Sequence, residues 1–168
     1  MTNLPDGVYS QFFGLGMRHT SWTAAGADVG FLALDRNGNG RIDNGVELFS
    51  SLAPQPDFGP RSKLGFRALA VYDQPANGGN GDGVIDQRDS VFSQLRVWVD
   101  RNHNGFSEPG ELLTMQQAGV QSISRHWEVT SWTDAYGNQF RYRGKITFSG
   151  GKPAGDQYAY DVFLISSK

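Results

Sequence analysis

The chain has 168 residues, 38% of them hydrophobic, a formal net charge of −2 and no cysteine. This length and apolar content indicate one folded domain with a buried core and exclude a disordered acidic tail. Disulfides and cysteine-ligated zinc are excluded as well. No apolar run approaches the ~18 residues of a membrane span, and no basic cluster favours nucleic acid.

The N-terminal region, residues 1–34, is rich in aromatic residues and glycine. Residues 8–13 and 29–34 are short runs of alternating apolar and polar character, which is typical of strands. The sequence therefore predicts an N-terminal strand region.

The first of three similar acidic loops follows this region. It has oxygen-bearing side chains at the first, third, fifth and ninth positions, a backbone carbonyl at the seventh and glycine at the sixth, which is the pattern of a calcium loop. Its closing carboxylate comes one residue later than the standard spacing, and Gly45 can absorb the extra residue. The predicted ligands are Asp35, Asn37, Asn39, the Arg41 carbonyl, Asp43 and Glu47.

The middle loop follows a predicted helix that begins at Ser62 and has Leu64, Ala68 and Tyr72 on one face. The strict first position of this loop is Gly78, which has no side-chain oxygen. An inserted turn at Pro75 folds Asp73 back into that position, or else Asn77 or a water fills it. The predicted ligands are Asp73, Asn80, Asp82, the Val84 carbonyl, Asp86 and Asp89.

The third loop fits the spacing without insertion, with a glutamate at the twelfth position. Its predicted ligands are Asp100, Asn102, Asn104, the Phe106 carbonyl, Glu108 and Glu111. Residues 90–99 carry Val91, Phe92, Leu95 and Val99 at helical spacing, which predicts a helix that joins the middle and third loops as a rigid rod. Another helix is predicted from Pro109 to Gly119.

The last segment, residues 120–168, changes to a period of two. Phe140, Tyr142, Ile146 and Phe148 alternate with basic or polar residues, and a further apolar run follows at 158–165. We therefore predict an α+β fold for a single domain spanning 1–168. It has an N-terminal strand region (1–34), short helices joined by three EF-hand-like calcium loops (35–119) and a C-terminal antiparallel β-meander (120–168).

The cation that best suits these loops is calcium. The sequence predicts about three bound Ca²⁺ ions, because each loop offers six or seven flexible oxygens, whereas Mg²⁺ prefers rigid octahedral sites with several waters. Ten of the 17 acidic residues lie in the three loops, so bound cations would relieve their mutual repulsion.

Residues 30–49, Gly-Phe-Leu-Ala-Leu-Asp-Arg-Asn-Gly-Asn-Gly-Arg-Ile-Asp-Asn-Gly-Val-Glu-Leu-Phe, resemble the calcium-binding modules of secreted RTX (repeats-in-toxin, haemolysin-type) bacterial proteins. The resemblance continues through 65–70, 80–86, 95–98 and 100–112, and it covers roughly residues 22–124. It implies a secreted or cell-surface module that folds on calcium, uses the ligands named above and has other domains of a larger secreted protein as partners.

Two alternatives to a calcium-dependent structural module stay open. Some RTX modules cleave an Asp-Pro bond at their own N-terminal edge when calcium arrives, but this chain has no Asp-Pro dipeptide. An adhesin or carbohydrate-binding module is the second alternative, with an aromatic face containing Trp127, Trp132 and Tyr136 that would bind a glycan or a protein. We expect no enzymatic activity.

Overall fold

A computed structural model describes residues 1–12, 16–59, 62–150 and 157–167. Phe13, the last residue of the first predicted strand, lies outside these ranges. The described residues form nine strands, one α-helix and three 3₁₀ turns. The strands are β1 (Val8–Ser10), β2 (Arg18–Thr20), β3 (Phe31–Leu34), β4 (Val84–Ile85), β5 (Leu95–Trp98), β6 (Leu112–Thr114), β7 (Val120–Thr133), β8 (Gln139–Phe148) and β9 (Tyr158–Phe163). The helix is α1 (Gly65–Ala70), and the turns are Val71–Asp73, Pro75–Asn77 and Pro109–Glu111.

The strands form three antiparallel sheets. β1 pairs with β2, β5 lies between β3 and β6, and the largest sheet has the order β4-β7-β8-β9. The first loop leaves the end of β3 and returns to it, because Leu48 bridges Ala33. The third loop connects β5 to β6, whose residues Trp98 and Leu112 are paired. Both loops are therefore anchored on one three-stranded sheet.

Two buried clusters hold the sheets together. One consists mainly of aliphatic side chains from the segments between β3 and β7, with Ile85 and Leu95 fully buried. The other is aromatic and joins Phe12 and Trp22 of the N-terminal region to Trp98 at the end of β5. The N-terminal region therefore shares its core with the loop-bearing sheet.

The predicted α+β class is wrong, because the three loops are not joined by helices. The α-helix has only six residues, and the first and third loops are carried by strands. No helix within the described ranges is long and apolar enough to cross a membrane.

The predicted helix over residues 90–99 is a turn followed by β5. The amide of Leu95 donates to the carbonyl of Val91 at 3.0 Å, so a single helix-like turn places both side chains in the core. That turn accounts for the helical spacing of the apolar residues. From Leu95 onward the chain is extended, because β3 and β6 supply hydrogen bonds on both sides. No rigid helical rod joins the middle and third loops.

The other two predicted helices are shorter than expected. The helix that begins at Pro109 is one 3₁₀ turn, after which β6 follows directly. The helix predicted from Ser62 begins at Gly65 and has no side-chain cap. The Ser62 hydroxyl accepts instead from the amide of Phe58 at 3.1 Å.

The start of α1 is anchored by a buried carboxylate of β9. Asp161 Oδ2 accepts the Gly65 N–H at 2.8 Å. Burial raises the pKa of Asp161, and the hydrogen bond from Gly65 and the charge of Arg141 offset only part of that effect. The ionised form of Asp161 therefore costs the folded protein stability.

We predict that Asp161→Asn stabilises the protein increasingly as the pH rises from about 4 toward 7. An aspartate whose pKa is raised in the folded state stabilises the fold while it is protonated and loses that contribution as the pH rises through its folded pKa. Asparagine keeps an acceptor for Gly65 and cannot ionise. Urea denaturation at several pH values in chelator measures the difference from the wild type.

The control is Asp57→Asn, for which we expect the opposite effect on stability near neutral pH. The backbone N–H of Gly59 lowers the pKa of the exposed Asp57, so its contribution is present above the unfolded pKa and is lost in acid. Asp57→Asn should therefore cost stability near neutral pH. Parallel pH dependence of Asp161→Asn and the wild type would contradict the account of Asp161.

Candidate functional site

The first and third loops each begin with an aspartate that accepts N–H groups from its own loop. Asp35 Oδ2 accepts from Gly40 at 2.7 Å, and Asp100 Oδ2 accepts from Gly105 at 2.8 Å. Oδ1 of each aspartate accepts from the fifth residue of its loop, at 3.2 Å and 3.1 Å. Each loop is thereby curled around its first carboxylate.

The asparagines at the third and fifth positions bond to the backbone two residues ahead. Asn37 Oδ1 accepts from Asn39 at 3.0 Å, and Asn39 Oδ1 accepts from Arg41 at 2.9 Å. Asn102 and Asn104 repeat the pattern at 3.2 Å and 2.8 Å. These Asx turns hold the side-chain oxygens on the inner side of the loop.

The closing glutamates bond to the backbone at both ends of their loops. Glu47 is 1% exposed, and it accepts N–H groups of Asp43 at 2.7 Å and Arg36 at 3.2 Å. Glu111 accepts from the ninth and second residues of the third loop, at 3.3 Å and 2.8 Å. The extra residue before Glu47 is absorbed, because Glu47 reaches the same positions as Glu111.

In the first and third loops, the carboxylate at the ninth position faces the asparagine amides across the loop. Asp43 Oδ2 accepts from the amides of Asn37 and Asn39, at 3.2 Å and 2.5 Å. Glu108 accepts from the corresponding pair in the third loop, at 3.3 Å and 2.8 Å. The hydrogen bond from Asn104 contributes most to lowering the pKa of Glu108, so that side chain is ionised at neutral pH.

In the middle loop, Asp73 occupies the first position. Its Oδ2 accepts the Gly83 N–H at 3.1 Å, as Asp35 and Asp100 accept from their sixth residues, and its backbone carbonyl accepts from Gly81 at 2.7 Å. The Asn77 amide points away from the loop and donates to the Val71 carbonyl at 2.9 Å. The structure therefore places the Asp73 side chain, and not that of Asn77, at the start of the loop.

The rest of the middle loop follows the same plan. Asn80 accepts from Asp82 at 3.0 Å, and Asp82 accepts from Val84 at 3.1 Å. Asp89 closes the loop by accepting N–H groups of Asn80 at 3.2 Å and Asp86 at 2.8 Å. The shorter aspartate at the closing position thus shares the bond to the ninth residue with Glu47 and Glu111, but its other bond is to the third residue of the loop and theirs is to the second.

Left-handed residues allow each loop to turn. Gly40, Gly83 and Gly105 at the sixth position have φ values of 82°, 93° and 76°, a region that side chains disfavour. The fourth position is left-handed as well, and in the third loop it is His103 with φ 58°. His103 Nε2 lies 2.8 Å from the Asp6 carbonyl, which fixes this side chain against the N-terminal region.

Two arginines pair with the middle loop, and sequence reasoning missed both. Arg88 Nη2 lies 2.5 Å from Asp82 Oδ2 and 2.6 Å from Asp86 Oδ2, and its hydrogen bond lowers the pKa of Asp86. Arg125 of β7 lies 2.7 Å from Asp73 Oδ2. Arg88 follows Asp82 and Asp86 closely in the sequence, and this spacing was a usable signal for the ion pairs. Arg125, in contrast, becomes a neighbour of Asp73 only through the pairing of β4 with β7.

The carboxylates of the first and third loops form no ion pair with lysine or arginine in the part of the chain that the structure describes. Two tryptophans instead donate to the third loop. Trp22 Nε1 lies 2.7 Å from Asp100 Oδ2, and Trp98 Nε1 lies 3.3 Å from Glu111 Oε2. No sequence spacing indicated the contact of Trp22, because it lies far from Asp100 along the chain.

Side chains connect the first loop to the neighbourhood of each of the other two. Ser107 Oγ accepts the backbone N–H of Ile42 at 2.7 Å, and both residues occupy the eighth position of their loops. Arg36 of the first loop bonds to the Tyr72 hydroxyl, next to Asp73. The first loop therefore contacts both the third loop and the segment that leads into the middle loop.

The arrangement suits a hard cation. Among the described residues, no group of three or more His, Cys, Asp or Glu side chains is gathered as a metal site. The loops mix carboxylates with asparagine and backbone oxygens, which is the donor set that calcium takes. Asp73 Oδ1 is buried and has no hydrogen-bond partner among the described residues, so it retains free capacity for a cation.

The aromatic residues of the C-terminal sheet pair mostly with each other. Trp132 is 51% exposed and stacks on Phe140 with ring centroids 4.0 Å apart. Trp127 packs edge-on against Tyr142 at 4.9 Å. These are cross-strand contacts, which stabilise a sheet without requiring a ligand.

Comparisons with known proteins give a family for nearly the whole chain. The model of the SPM domain matches residues 1–164. The iron-regulated protein FrpA of Neisseria meningitidis serogroup C is 38% identical over 135 residues. That match covers 80% of this chain but only 11% of FrpA, so the chain spans about a ninth of the length of this relative.

We predict that Ser107→Ala lowers the free energy of unfolding by about 1–3 kcal/mol in chelator, because the buried N–H of Ile42 loses its acceptor. Ser131→Ala, on an exposed part of β7, is the matched control and should stay within about 0.5 kcal/mol of the wild type. Urea denaturation measures both. Equal stability of the two variants would contradict a link between the first and third loops through Ser107.

Proposed function

We propose that this chain, which belongs to the SPM domain family, is an extracellular calcium-binding module whose folding and rigidity depend on about three bound Ca²⁺ ions. The observation that carries the proposal is the hydrogen-bond pattern repeated in the three loops. In each, the first carboxylate accepts the N–H of the sixth residue, and the closing carboxylate accepts the N–H of the ninth.

The residues proposed to hold the ions are the oxygen-bearing groups of each loop. The first loop offers Asp35, Asn37, Asn39, the Arg41 carbonyl, Asp43 and Glu47. The middle loop offers Asp73, Asn80, Asp82, the Val84 carbonyl, Asp86 and Asp89. The third loop offers Asp100, Asn102, Asn104, the Phe106 carbonyl, Glu108 and Glu111.

The physical consequence of binding is stability. An ion that binds only the folded chain stabilises it by about 2.7 kcal/mol per site at a hundredfold excess over its dissociation constant. Three such sites would contribute about 8 kcal/mol, which is comparable with the total stability of a domain, roughly 5–15 kcal/mol. The chain can then remain loose where calcium is scarce and become rigid where it is plentiful.

We propose a secreted or cell-surface location, where calcium is plentiful, and no role in nucleic-acid binding. The proposed partners are other domains of a larger protein, since the chain matches only 11% of FrpA. The role proposed is structural and not enzymatic. Calcium-triggered cleavage of an Asp-Pro bond and glycan binding by the aromatic sheet remain the alternatives.

We predict that the protein binds about three Ca²⁺ ions with dissociation constants of ~10⁻⁵–10⁻³ M, because asparagines replace carboxylates at most of the third and fifth positions. The melting temperature should rise with calcium. Asp35→Asn, Asp73→Asn and Asp100→Asn should each remove one ion and leave the other two. Calorimetric titration with parallel thermal melts measures stoichiometry and linkage together.

Asp134→Asn is the control for these variants, because Asp134 lies in the β7–β8 turn, outside the loops. It should retain all the ions. A wild-type protein without calcium binding, or one with nanomolar affinity at every site, would refute the proposal. If Asp73→Asn still bound about three ions, only the assignment of Asp73 to the middle site would be refuted.

We predict opposite effects of Arg88→Ala in the two states of the middle loop. In chelator the variant should be less stable, because Asp82 and Asp86 lose the guanidinium between them. Its middle site should bind calcium roughly three- to tenfold more tightly, because a fixed positive charge is gone. Arg88→Lys keeps the charge and is the control. Unchanged calcium affinity in Arg88→Ala would show that the arginine does not compete with the ion.

A further inference from the structure

We infer that Trp22 and Trp98 are positioning residues for the cation of the third loop. The inference rests on the proposed function and adds to it a role for two residues outside the ligand set. Each indole N–H donates to one of the two carboxylates at the ends of the loop, Asp100 and Glu111.

Trp22 fixes the first ligand. Its Nε1 donates to Asp100 Oδ2 at 2.7 Å, and the same oxygen accepts the Gly105 N–H at 2.8 Å. Trp22 is fully buried and Asp100 is 4% exposed, so water does not compete for this bond. Two donors on Oδ2 restrict the rotation of the carboxylate, and Oδ1, which accepts one N–H from Asn104 at 3.1 Å, keeps a lone pair for the ion.

Trp98 fixes the closing ligand. Its Nε1 donates to Glu111 Oε2 at 3.3 Å, while Oε1 accepts the Arg101 N–H at 2.8 Å. Trp98 is fully buried, and Glu111 is 5% exposed. Both oxygens of a carboxylate suited to bidentate binding are therefore held in place before an ion arrives.

The aromatic cluster keeps the two indoles in these orientations. Trp22 and Trp98 pack edge to face with ring centroids 5.5 Å apart. Phe31 lies 4.7 Å from Trp22, and Phe12 lies 5.1 Å from Trp98. Because buried aromatic rings cannot rotate freely, the N–H groups are directed at the loop with little loss of entropy.

The third loop also packs against the N-terminal region. A side chain on Gly105 would lie 2.8 Å from a methyl of Val8 and 3.0 Å from the Tyr9 carbonyl, so β1 packs directly on the sixth position. His103 reaches Asp6 from the fourth position. With Trp22, three contacts attach residues 1–34 to this loop, and an ion there would order the N-terminal region too.

The other two loops lack this support. The hydrogen bonds to Asp35 and Glu47 that the structure shows come from backbone N–H groups, and Asp73 has an arginine beside it. An indole N–H is neutral, so it orients a carboxylate without cancelling the charge that attracts the ion. The third loop should therefore bind calcium more tightly than the middle loop.

The test is calorimetric calcium titration of Trp22→Phe and Trp98→Phe, with Trp132→Phe as the matched control. Phenylalanine keeps an aromatic ring in the cluster and removes the donor. Loss of a hydrogen bond that orients a metal ligand typically weakens binding 10–100-fold. We expect that weakening at one of about three sites, namely the site lost in Asp100→Asn, and no change in Trp132→Phe.

A purely structural role gives a different result. Both variants would then melt at lower temperature in chelator while every dissociation constant stayed at its wild-type value. In a double-mutant cycle, Trp22→Phe should add little to Asp100→Asn if the indole acts through that carboxylate. Full additivity of the two effects on stability in calcium would overturn the inference.

A spectroscopic test uses the folded wild type and does not depend on the variants folding. Replacing Ca²⁺ by La³⁺ in the loaded protein raises the charge of the ion that the carboxylates would hold and so polarises them more strongly, and the indole N–H resonances of Trp22 and Trp98 should shift while that of Trp132 stays. Equal shifts for all would overturn the inference. If the wild type binds neither ion, the proposed function fails; if it binds both and only the indoles are indifferent, the inference alone fails.

Discussion

The structure depends on the way carboxylates close the three loops upon their own backbone. An acidic residue at each end of a loop accepts N–H groups that would otherwise be unpaired in a tight turn, as Asp100 and Glu111 do at 2.8 Å. Unmet backbone donors are costly when buried, so these bonds hold the turn together. The same closure fixes an acidic residue at each end of a loop, and a cation bound to the loop would offset the repulsion between these charges.

The loops are carried by strands, and that changes how they are coupled. The first and third loops rise from one three-stranded sheet and meet at Ser107 and Ile42. The middle loop contains β4, which pairs with β7 and so belongs to the C-terminal sheet. Arg36 reaches Tyr72 beside it. The ordering of one loop can therefore influence the conformation of the others through side-chain contacts and strand pairing, and no helical rod is needed.

Sequence reasoning found the loops because their pattern is local. Every proposed ligand lies within 17 residues of its partners, and even the insertion before Asn80 was readable from Pro75 and the glycines after it. The helices were wrong because Val91 and Leu95 share the core through one turn, which mimics helical periodicity, while strand partners from distant segments decide the conformation of β5. Arg125 and Trp22 were missed for the same reason, since their contacts exist only after the sheets form.

The difference between arginine and tryptophan neighbours would give the middle and third loops different responses to a cation. In the middle loop, Arg88 and Arg125 already supply positive charge, so an ion would gain less attraction there and would have to compete with them. In the third loop, the two indoles orient Asp100 and Glu111 without adding positive charge, so they would not weaken the attraction of these two carboxylates for an ion. A chain with similar loops can thus hold a self-compensated loop beside a preorganised one. The preorganised loop is also the one to which residues 1–34 are attached.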